Sequence, residues 1–467
     1  MERLRERTTD ARTARLLGAS LRETGGRFMA TEDVPGWLAE RAGAHVFAAD
    51  LVPFRALRQW GFEPGTGNLV HDSGRFFSFE GLRVRTDYGP VPEWTQPIMY
   101  QPERGLLGLL VREFDGVLYF LMQAKMEPGN INLIQLSPTV QATRSNYTGV
   151  HKGTPTRYLD HFMGPGSGRV LVDALQSEQG DSFYQKRNRN MIVEAAGDVE
   201  ESDDFRWLTL GQINALLRYD HLVNMDTRTV LACLPLAGAG AGHWPALDAS
   251  LHDGRSLHTL DGLLHWFTDA KSRYQLRADR IPLADVKDWE RTDWEIRHVD
   301  GRFFSVVGVS VQAGNREVTR WCQPLYRSCQ PGVAALVVKE IDGVLHALMQ
   351  AKLQPGHVDA VEIAPTLQCV TGGYRDVPPE VRPPYFDYVL GAPAERIRYD
   401  AELSEEGGRF YHRTNRYMIL EAGDEFALDS PPDYVWMTFD QIKALIKHSN
   451  HFDMEARTLI TCLQSLY

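Results

Sequence analysis

The chain has 467 residues, of which 43% are hydrophobic and 24% charged, a composition typical of soluble globular proteins with two or three domains. Its net charge of −11 excludes a general attraction to nucleic acid or to an anionic membrane, so phosphate binding requires a local basic cluster. No apolar run approaches the roughly 20 residues that cross a bilayer, and five scattered cysteines without a CxxC pair predict reduced thiols and a cytoplasmic location.

The N-terminal residues 1–30 are interpreted as an extension, because they are charged and lack the apolar centre of a signal peptide. Beyond them the chain is duplicated. Gln123 and Gln350 are 227 residues apart, as are many other matching positions. A repeat this long predicts two tandem domains, the first copy (residues 31–235) and the second copy (residues 256–467). The Gly/Ala-rich residues 236–255 are predicted to be the linker between them.

The elements of one copy follow the same order in the other. The stretch RFFSFEGLRVRT alternates and predicts a strand. The Asp115-Gly116 pair between two apolar runs predicts a β-hairpin with a type I′ turn, and Asp342-Gly343 repeats it. The stretch QSEQGDSFYQK suits a short helix, and MIVEA suits a strand. Thr209 with Gln212 forms a capping box that predicts a helix start. Each half is therefore predicted to be an α+β domain with a mixed, mainly antiparallel sheet flanked by helices.

A long polar segment follows the hairpin of the first copy, MQAKMEPGNINLIQLSPTVQATRSNY. Its amides and hydroxyls suit a polyhydroxylated ligand, and Arg144 suits phosphate oxygens. The alternative is a solvated surface loop. The second copy reads MQAKLQPGHVDAVEIAPTLQCVTGGY, in which Thr371 and Gly373 replace Arg144 and Asn146.

Three further features could carry chemistry. The basic run KRNRN could neutralise a diphosphate, or it could be a solvated run at a helix end. Glu178 and its counterpart Glu405 could be acid–base groups tuned by burial, or ordinary residues of a first helical turn. Trp94 and its counterpart Trp321 could stack on a base, or could be half-buried core aromatics.

Metal and cofactor signatures are weak. The stretch ELSEEGG (residues 402–408) is similar to the end of a Nudix box, but Asp387 and Pro393 stand where that box requires Gly and Glu. No GxGxxG after a strand and no GxxxxGK[ST] occurs. The sequence therefore predicts neither a metal site nor a cofactor.

The motifs MQAKMEPGNIN, LSPTVQATRSNY, LQSEQG and KRNRNM resemble the NDP-hexose 2,3-dehydratase family of deoxysugar biosynthesis. The resemblance covers nearly the whole chain, including the duplication. It implies a dTDP-4-keto-6-deoxyglucose substrate, two Nudix-like domains and a homodimer. A 3-ketoreductase would be the functional partner that consumes the product. The alternatives are a Nudix-type nucleotide-sugar pyrophosphatase and a non-catalytic nucleotide-sugar binding protein.

The implied reaction needs an acid, a base and a group that faces an enolate. The acid–base candidates are Glu178, Tyr147 and Lys125. The predicted substrate-binding residues are Trp94, Gln123, Asn130, Asn132, Gln141, Arg144, Asn146, Arg187, Asn188 and Arg189. A second pocket, predicted to bind without catalysing, would use Gln350, Lys352, Gln368, Tyr374, Glu405, Arg413, Asn415 and Arg416.

Overall fold

The computed structural model describes residues 10–143, 156–164, 168–236, 244–252, 254–314, 318–374 and 377–467. Three predicted site residues, Arg144, Asn146 and Tyr147, lie outside these ranges.

The first copy and its extension contain helices at both ends and strands between them. The described helices are α1 (Ala11–Arg22), α2 (Val34–Ala44), α3 (Leu210–Leu216) and α4 (Met225–Ala232). The described strands are β1 (Phe47–Val52), β2 (Trp60–Phe62), β3 (Leu69–His71), β4 (Ser78–Thr86), β5 (Glu93–Tyr100), β6 (Gly105–Phe114), β7 (Val117–Met126), β8 (Ile134–Ser137), β9 (Val140–Thr143), β10 (Arg169–Ser177), β11 (Arg187–Glu194) and β12 (Phe205–Thr209).

The second copy repeats this order. The described helices that follow the first copy are α5 (Pro245–His252), α6 (Leu260–Arg273), α7 (Phe386–Leu390), α8 (Phe439–Leu445) and α9 (Met454–Gln464). The described strands are β13 (Leu276–Ile281), β14 (Trp289–Arg291), β15 (Glu295–His298), β16 (Phe304–Ala313), β17 (Arg320–Ser328), β18 (Gly332–Ile341), β19 (Val344–Leu353), β20 (Val361–Ala364), β21 (Leu367–Val370), β22 (Ile397–Ser404), β23 (Phe410–Tyr411), β24 (Thr414–Glu421) and β25 (Tyr434–Thr438).

Each copy is built on one large sheet that contains the predicted hairpin. In the first copy the order is β10-β11-β6-β7-β12, with β8 beside β7 and β9 beside β6. The second copy repeats it as β22-β24-β18-β19, with β20, β21 and β25 in the matching places. Within these two large sheets, pairing is antiparallel except between β6 and β11 and between β18 and β24. Asp115 and Gly116 both have positive φ, 49° and 82°, which confirms the predicted turn.

The two copies exchange strands. Strand β1 of the first copy pairs with β16 of the second, and β13 of the second pairs with β4 of the first. A single hydrophobic core also includes residues of both copies, from Leu16 to Leu463. The duplicated halves are therefore interleaved rather than joined only by the linker, and a cavity can take side chains from both.

The last helices of the two copies pack together and bring one buried arginine from each across to the other. Arg457 on α9 donates a hydrogen bond from Nη2 to the carbonyl oxygen of Ser177, the last residue of β10. Arg228 on α4 makes the matching bond to Ser404, the last residue of β22. The residues that follow these two strand ends are Glu178 and Glu405, so each copy helps to fix the glutamate of the other.

One predicted element is absent. Residues 178–186 form a turn between β10 and β11 rather than the short helix suggested by their composition. The turn is held by contacts to the other copy. The backbone N–H of Gln185 donates to Gly356 of the second copy at 2.7 Å, and that of Gly356 donates to Gly180 at the same distance. Tertiary contacts of this kind override weak local propensity.

Candidate active site

A cavity of about 290 Å³ lies at the ends of β7, β9 and β11 and is called the first pocket. Its wall from the first copy includes two lysines and several acidic and amide side chains. They are Lys125, Glu127, Gln141, Lys186, Asn188 and Asp226. The second copy adds Arg320, Trp321, Gln323, Glu406 and Arg409, and the aromatic side is formed by Trp60, His71, Phe76 and Phe77. The pocket is therefore shared by both halves of the chain.

The polar segment forms one wall of the first pocket, and its carboxylate and amide side chains are hydrogen-bonded to one another. Gln141 donates a hydrogen bond from Nε2 to Oε1 of Glu127 at 2.9 Å, and Nζ of Lys125 lies 3.5 Å from the same oxygen. Ser137 donates to Oε1 of Gln141 at 2.9 Å, which fixes the amide orientation. Lys125 and Glu127 are buried, with 6% and 4% of their surface exposed. The alternative of a solvated surface loop is therefore wrong for this part of the segment.

The Pro-Gly turn of this segment is locked into the second copy. The backbone N–H of Gly129 donates to the carbonyl of Gly407 at 2.7 Å, and that of His412 donates to Gly129 at 2.8 Å. A Cβ on Gly129 would lie 1.6 Å from the carbonyl oxygen of Phe410. Only glycine fits there, and the lock carries Glu406, the residue before Gly407, to the wall of the first pocket.

Glu178 lies behind Asn188 and is 2% exposed. Its Oε1 accepts a hydrogen bond from Nδ2 of Asn188 at 2.5 Å, and Asn188 in turn accepts one from the N–H of Gly105. Its Oε2 is buried without a hydrogen-bond partner. Burial, and then the charge of Glu406, raise the pKa of Glu178 to about 8. Glu178 is therefore a carboxyl group that keeps its proton near neutral pH.

Lys186 and two more carboxylates complete the charge cluster. Burial lowers the pKa of Lys186 to about 8, against the opposing effect of Glu178 and Glu406, and its Nζ donates to the carbonyl of Glu103 at 2.9 Å. Burial and the charges of Glu406 and Glu178 raise the pKa of Asp226, whose Oδ1 is buried without a partner. Burial also raises the pKa of Glu406. Groups with such displaced pKa values in one cavity are suited to proton transfer.

In the corresponding region of the second copy, the glutamate and the lysine are held by hydrogen bonds. Glu405 is held by three donors, Asn415 and Gln179 at 2.7 Å and Tyr417 at 2.8 Å. Lys352 donates to the side chain and backbone of Gln368 at 3.0 Å. The position of Glu406 is occupied here by Gln179, and that of Glu127 by Gln354. Amides have thus replaced two of the carboxylates that face the first pocket.

A family model described as NDP-hexose 2,3-dehydratase matches residues 31–234 and again residues 260–463. The chain belongs to the NDP-hexose 2,3-dehydratase family. The two matches correspond to the two copies, and the resemblance suggested by the sequence motifs is confirmed.

Curated relatives of this dehydratase family are similar over nearly their whole length. A dTDP-4-dehydro-6-deoxy-alpha-D-glucopyranose 2,3-dehydratase of Saccharopolyspora spinosa is 49% identical over 466 residues, covering 97% of this chain and 95% of the relative. Proteins of the same name from Amycolatopsis orientalis and Streptomyces violaceoruber are each 50% identical, covering 96% and 94% of this chain and 93% and 98% of the relatives. These matches do not favour a pyrophosphatase or a non-catalytic binding protein.

The structure of this dehydratase brings some of the predicted first-copy residues together. Lys125, Gln141 and Asn188 line the first pocket, and Glu178 contacts Asn188. Asn130 lies against Gly407 with its Oδ1 buried. Other predicted residues do not line the cavity, namely Trp94, Gln123, Asn132, Arg187 and Arg189.

The positions of two of these outlying residues have clear physical reasons. Arg189 forms an ion pair with Asp173 of the neighbouring strand, 2.6 Å from Nη2 to Oδ2, on an exposed face of the sheet. Trp94 lies on β5, where its Nε1 donates a hydrogen bond to Oε1 of Gln96 at 2.8 Å. The counterpart of Trp94 in the other copy, Trp321, does line the first pocket.

The predicted second-pocket residues are also partly dispersed. Besides the Glu405 and Lys352 contacts, Arg413 pairs with Asp181 at 3.4 Å and Gln350 contacts Tyr88. Arg416 instead forms an exposed ion pair with Asp400, as Arg189 does with Asp173. Tyr374 is partly buried and packs against the ring of Phe386.

Sequence reasoning missed several pocket residues of this dehydratase. Asp226 is one of them. Its counterpart is Glu455, and in each copy the acidic residue comes two residues after the side chain that caps the helix. Glu127 and Glu406 are others. A residue-by-residue alignment of the two copies could have singled them out, because a glutamine stands at the matching position of the other copy in both cases.

Proposed function

We propose that this chain eliminates water across C-2 and C-3 of dTDP-4-keto-6-deoxy-D-glucose to give a dTDP-3,4-diketo-2,6-dideoxy sugar for deoxysugar and natural-product biosynthesis. Membership of the 2,3-dehydratase family and the names of relatives near 50% identity support the substrate and the reaction. The observation that carries the mechanism is the burial of Glu178, with Oε2 unpartnered and its pKa raised, in a charge cluster with Lys186, Asp226 and Glu406.

The reaction uses the substrate's own ketone as the electron sink. The C-4 carbonyl acidifies the hydrogen on C-3, and its removal as a proton gives an enolate. The hydroxyl on C-2 then leaves as water after it receives a proton. Tautomerisation of the enol moves a proton from the C-3 oxygen to C-2, which leaves a ketone at C-3 and a methylene at C-2.

The residues of the first pocket fit these steps. Glu178, which lies directly behind Asn188 of the pocket wall, supplies the proton for the departing C-2 hydroxyl, because its raised pKa keeps that proton in place near pH 7. Lys125, fixed beside Glu127, faces the oxygen of the enolate and stabilises its negative charge. Gln141 and Asn188 orient the sugar hydroxyls. Tyr147 and the phosphate contacts of Arg144 and Arg187 remain proposals from the sequence.

The second pocket binds a nucleotide sugar without catalysis in this proposal. Glu405 accepts hydrogen bonds from Asn415, Gln179 and Tyr417, so its proton exchange is restrained. Lys352 is likewise engaged by Gln368. Binding by Gln350, Lys352 and Arg413 would then be a retained property of the duplicated half.

Further proposals concern the surroundings of the enzyme. The family resemblance supports Nudix-like folding of each half, a homodimer and coupling to a 3-ketoreductase. Five free cysteines are consistent with a reducing, cytoplasmic location. No helix within the described ranges is long and apolar enough to cross a membrane.

The test is incubation of the purified chain with the 4-keto sugar nucleotide and a 3-ketoreductase. We expect a reduced product that is lighter by one water than the reduced substrate. Release of thymidine monophosphate would instead favour a pyrophosphatase. Tight binding with no change in the sugar's mass would favour a binding protein, and either result would contradict the proposed function.

A further inference from the structure

Glu406, in the acidic stretch ELSEEGG of the second copy, belongs to the charge cluster but has no step of its own in the proposed reaction. It does not serve its own half of the chain. The residue follows Glu405 at the end of β22 and lines the first pocket, together with Lys125, Lys186 and Asp226 of the first copy.

The backbone fixes Glu406 in this place. Gly407 accepts the hydrogen bond from Gly129, and a Cβ on Gly407 would lie 2.2 Å from Oδ1 of Asn130. On its other side, a Cβ on Gly408 would lie 3.0 Å from Oε1 of Glu406 and 3.7 Å from Oε1 of Glu127. The glycines therefore allow a close approach of the copies, which leaves the two carboxylates facing one open space at the pocket wall.

The carboxylate of Glu406 is available for chemistry. Within the described ranges no side chain or backbone group donates a hydrogen bond to it, although the charges of Arg409, Lys186 and Lys125 act on it. It is half-buried and borders the cavity, so a ligand there can reach it. Glu178, the proposed acid, also interacts with it electrostatically.

The duplication supplies an internal comparison. Gln179 occupies the equivalent place on the other side of the interface and donates from Nε2 to Oε2 of Glu405. The amide of Gln179 holds Glu405 of the second pocket by a hydrogen bond. In the first pocket Glu406 instead brings a second carboxylate into interaction with Glu178, and two interacting carboxylates favour a state with one proton between them. The acid–acid arrangement thus occurs where the other catalytic candidates gather.

We propose that Glu406 of the second copy is the catalytic base of the first pocket, which removes the hydrogen from C-3 of the sugar. This inference rests on the proposed dehydratase function. The carboxylate of Glu406 takes the proton, and the electron pair of the C–H bond moves into the enolate. That pair then expels the C-2 oxygen, which leaves as water with the proton of Glu178.

The proton count of the pair is balanced in this scheme. Glu406 gains one proton and Glu178 loses one, so transfer of that proton back to Glu178 restores the starting state without an external acid or base. Lys186, which interacts with both carboxylates, offers a cation beside this transfer. Neither half of the chain could carry out the reaction alone, because the acid comes from one copy and the base from the other.

The experiment compares Glu406→Gln with the intact full-length chain, using the 4-keto sugar nucleotide with and without deuterium at C-3. We expect kcat to fall by about 10²–10⁴-fold, the range for a positioned acid or base, with substrate binding retained. The isotope effect on kcat should increase, because proton abstraction becomes the slow step. Glu406→Asp, which keeps a shorter carboxylate, should recover part of the rate. Glu395→Gln, at an exposed position of the same copy, is the matched control.

A purely structural role predicts a different pattern. Turnover of Glu406→Gln within about threefold of the intact chain would overturn the inference. A lower kcat with an unchanged isotope effect would overturn it as well, since Glu406 would then act on folding or binding rather than on the C–H bond. Failure of the intact chain to form any dehydrated product would instead refute the proposed function, and the two failures are thus distinct.

Discussion

Gln179 donates a hydrogen bond of 2.7 Å to Glu405, across the interface between the two copies. At the duplicated position Glu406 replaces the glutamine, and Asn190 stands at the position of Tyr417, a further donor to Glu405 from its own copy. Glu178 therefore keeps one carboxylate oxygen without a partner, whereas Glu405 is saturated. In the proposed function, this loss of two hydrogen-bond donors is what separates the catalytic pocket from the binding pocket on the same fold.

The first prediction concerns these two glutamates. We expect Glu178→Gln to lower kcat by about 10²–10⁴-fold, because a glutamine cannot donate an acidic proton to the leaving hydroxyl. Glu405→Gln should change kcat by less than about threefold. Turnover of both variants should be measured with the coupled ketoreductase, after thermal denaturation has shown that they fold. Equal losses in the two variants would contradict the assignment of catalysis to the first pocket.

The second prediction uses the duplicated lysines. Lys125→Ala should reduce turnover by at least tenfold, because it removes the cation beside the enolate. Lys352→Ala removes a lysine already engaged by Gln368 and should leave turnover largely intact. The measurement is kcat and KM for both variants under the same conditions. A larger loss of turnover from Lys352→Ala than from Lys125→Ala would show that the active site is the second pocket.

The third prediction concerns the Pro-Gly lock. Gly129→Ala would place a methyl group 1.6 Å from the carbonyl oxygen of Phe410, so the backbones of the two copies must separate. We expect a loss of unfolding free energy of about 1–3 kcal/mol or more from such overpacking, together with loss of activity. Gly36→Ala in α2, where a Cβ meets nothing within 4 Å, is the matched control.

Chemical denaturation of both glycine variants measures this difference. The control should be unchanged or slightly more stable, because alanine favours a helix over glycine by roughly 0.5–1 kcal/mol. If Gly129→Ala lowers the free energy of unfolding no more than Gly36→Ala does, the contact between the two copies at Gly129 is not needed for stability.

Local patterns predicted the hairpins and capping boxes, because their determinants lie within a few residues. Asp115-Gly116 and the Thr209–Gln212 pair are such cases. The pairing of β1 and β13 with strands of the other copy was not predictable, because it depends on how the two copies lie relative to each other in space. The same limit applies to the site. Residue type was enough to single out Glu178 and Lys125 as candidates, whereas Glu406 reaches the first pocket only through the interface between the copies.

The fourth prediction tests the buried arginines of that interface. Arg457 holds the carbonyl of Ser177 beside Glu178, and Arg228 holds Ser404 beside Glu405. Both are fully buried, so Arg457→Met and Arg228→Met should each lower the free energy of unfolding by at least about 1–3 kcal/mol by leaving buried acceptors unpaired. Only Arg457→Met should also reduce kcat in the fraction that remains folded, by about tenfold or more. Similar kcat values for the two folded variants would show that Arg457 does not contribute to catalysis.

The last prediction is the pH dependence of turnover. Burial raises the pKa of Glu178 to about 8, so the acid form is present at pH 7 and is lost as the pH rises through about 8. We expect kcat to fall on that limb. The same shift means that the proton of Glu178 favours the folded state, an effect complete below its unfolded pKa of about 4.3 and lost as the pH rises toward 8.

A variant of Lys186 distinguishes the group responsible for this limb. The charge of Lys186 lowers the pKa of Glu178, so Lys186→Met should raise that pKa and move the descending limb to higher pH. If the limb reports the deprotonation of Lys186 itself, whose pKa burial lowers to about 8, the substitution should abolish it. Profiles of kcat from about pH 6 to 10 decide between the two groups, and a limb that keeps its position would exclude both of them.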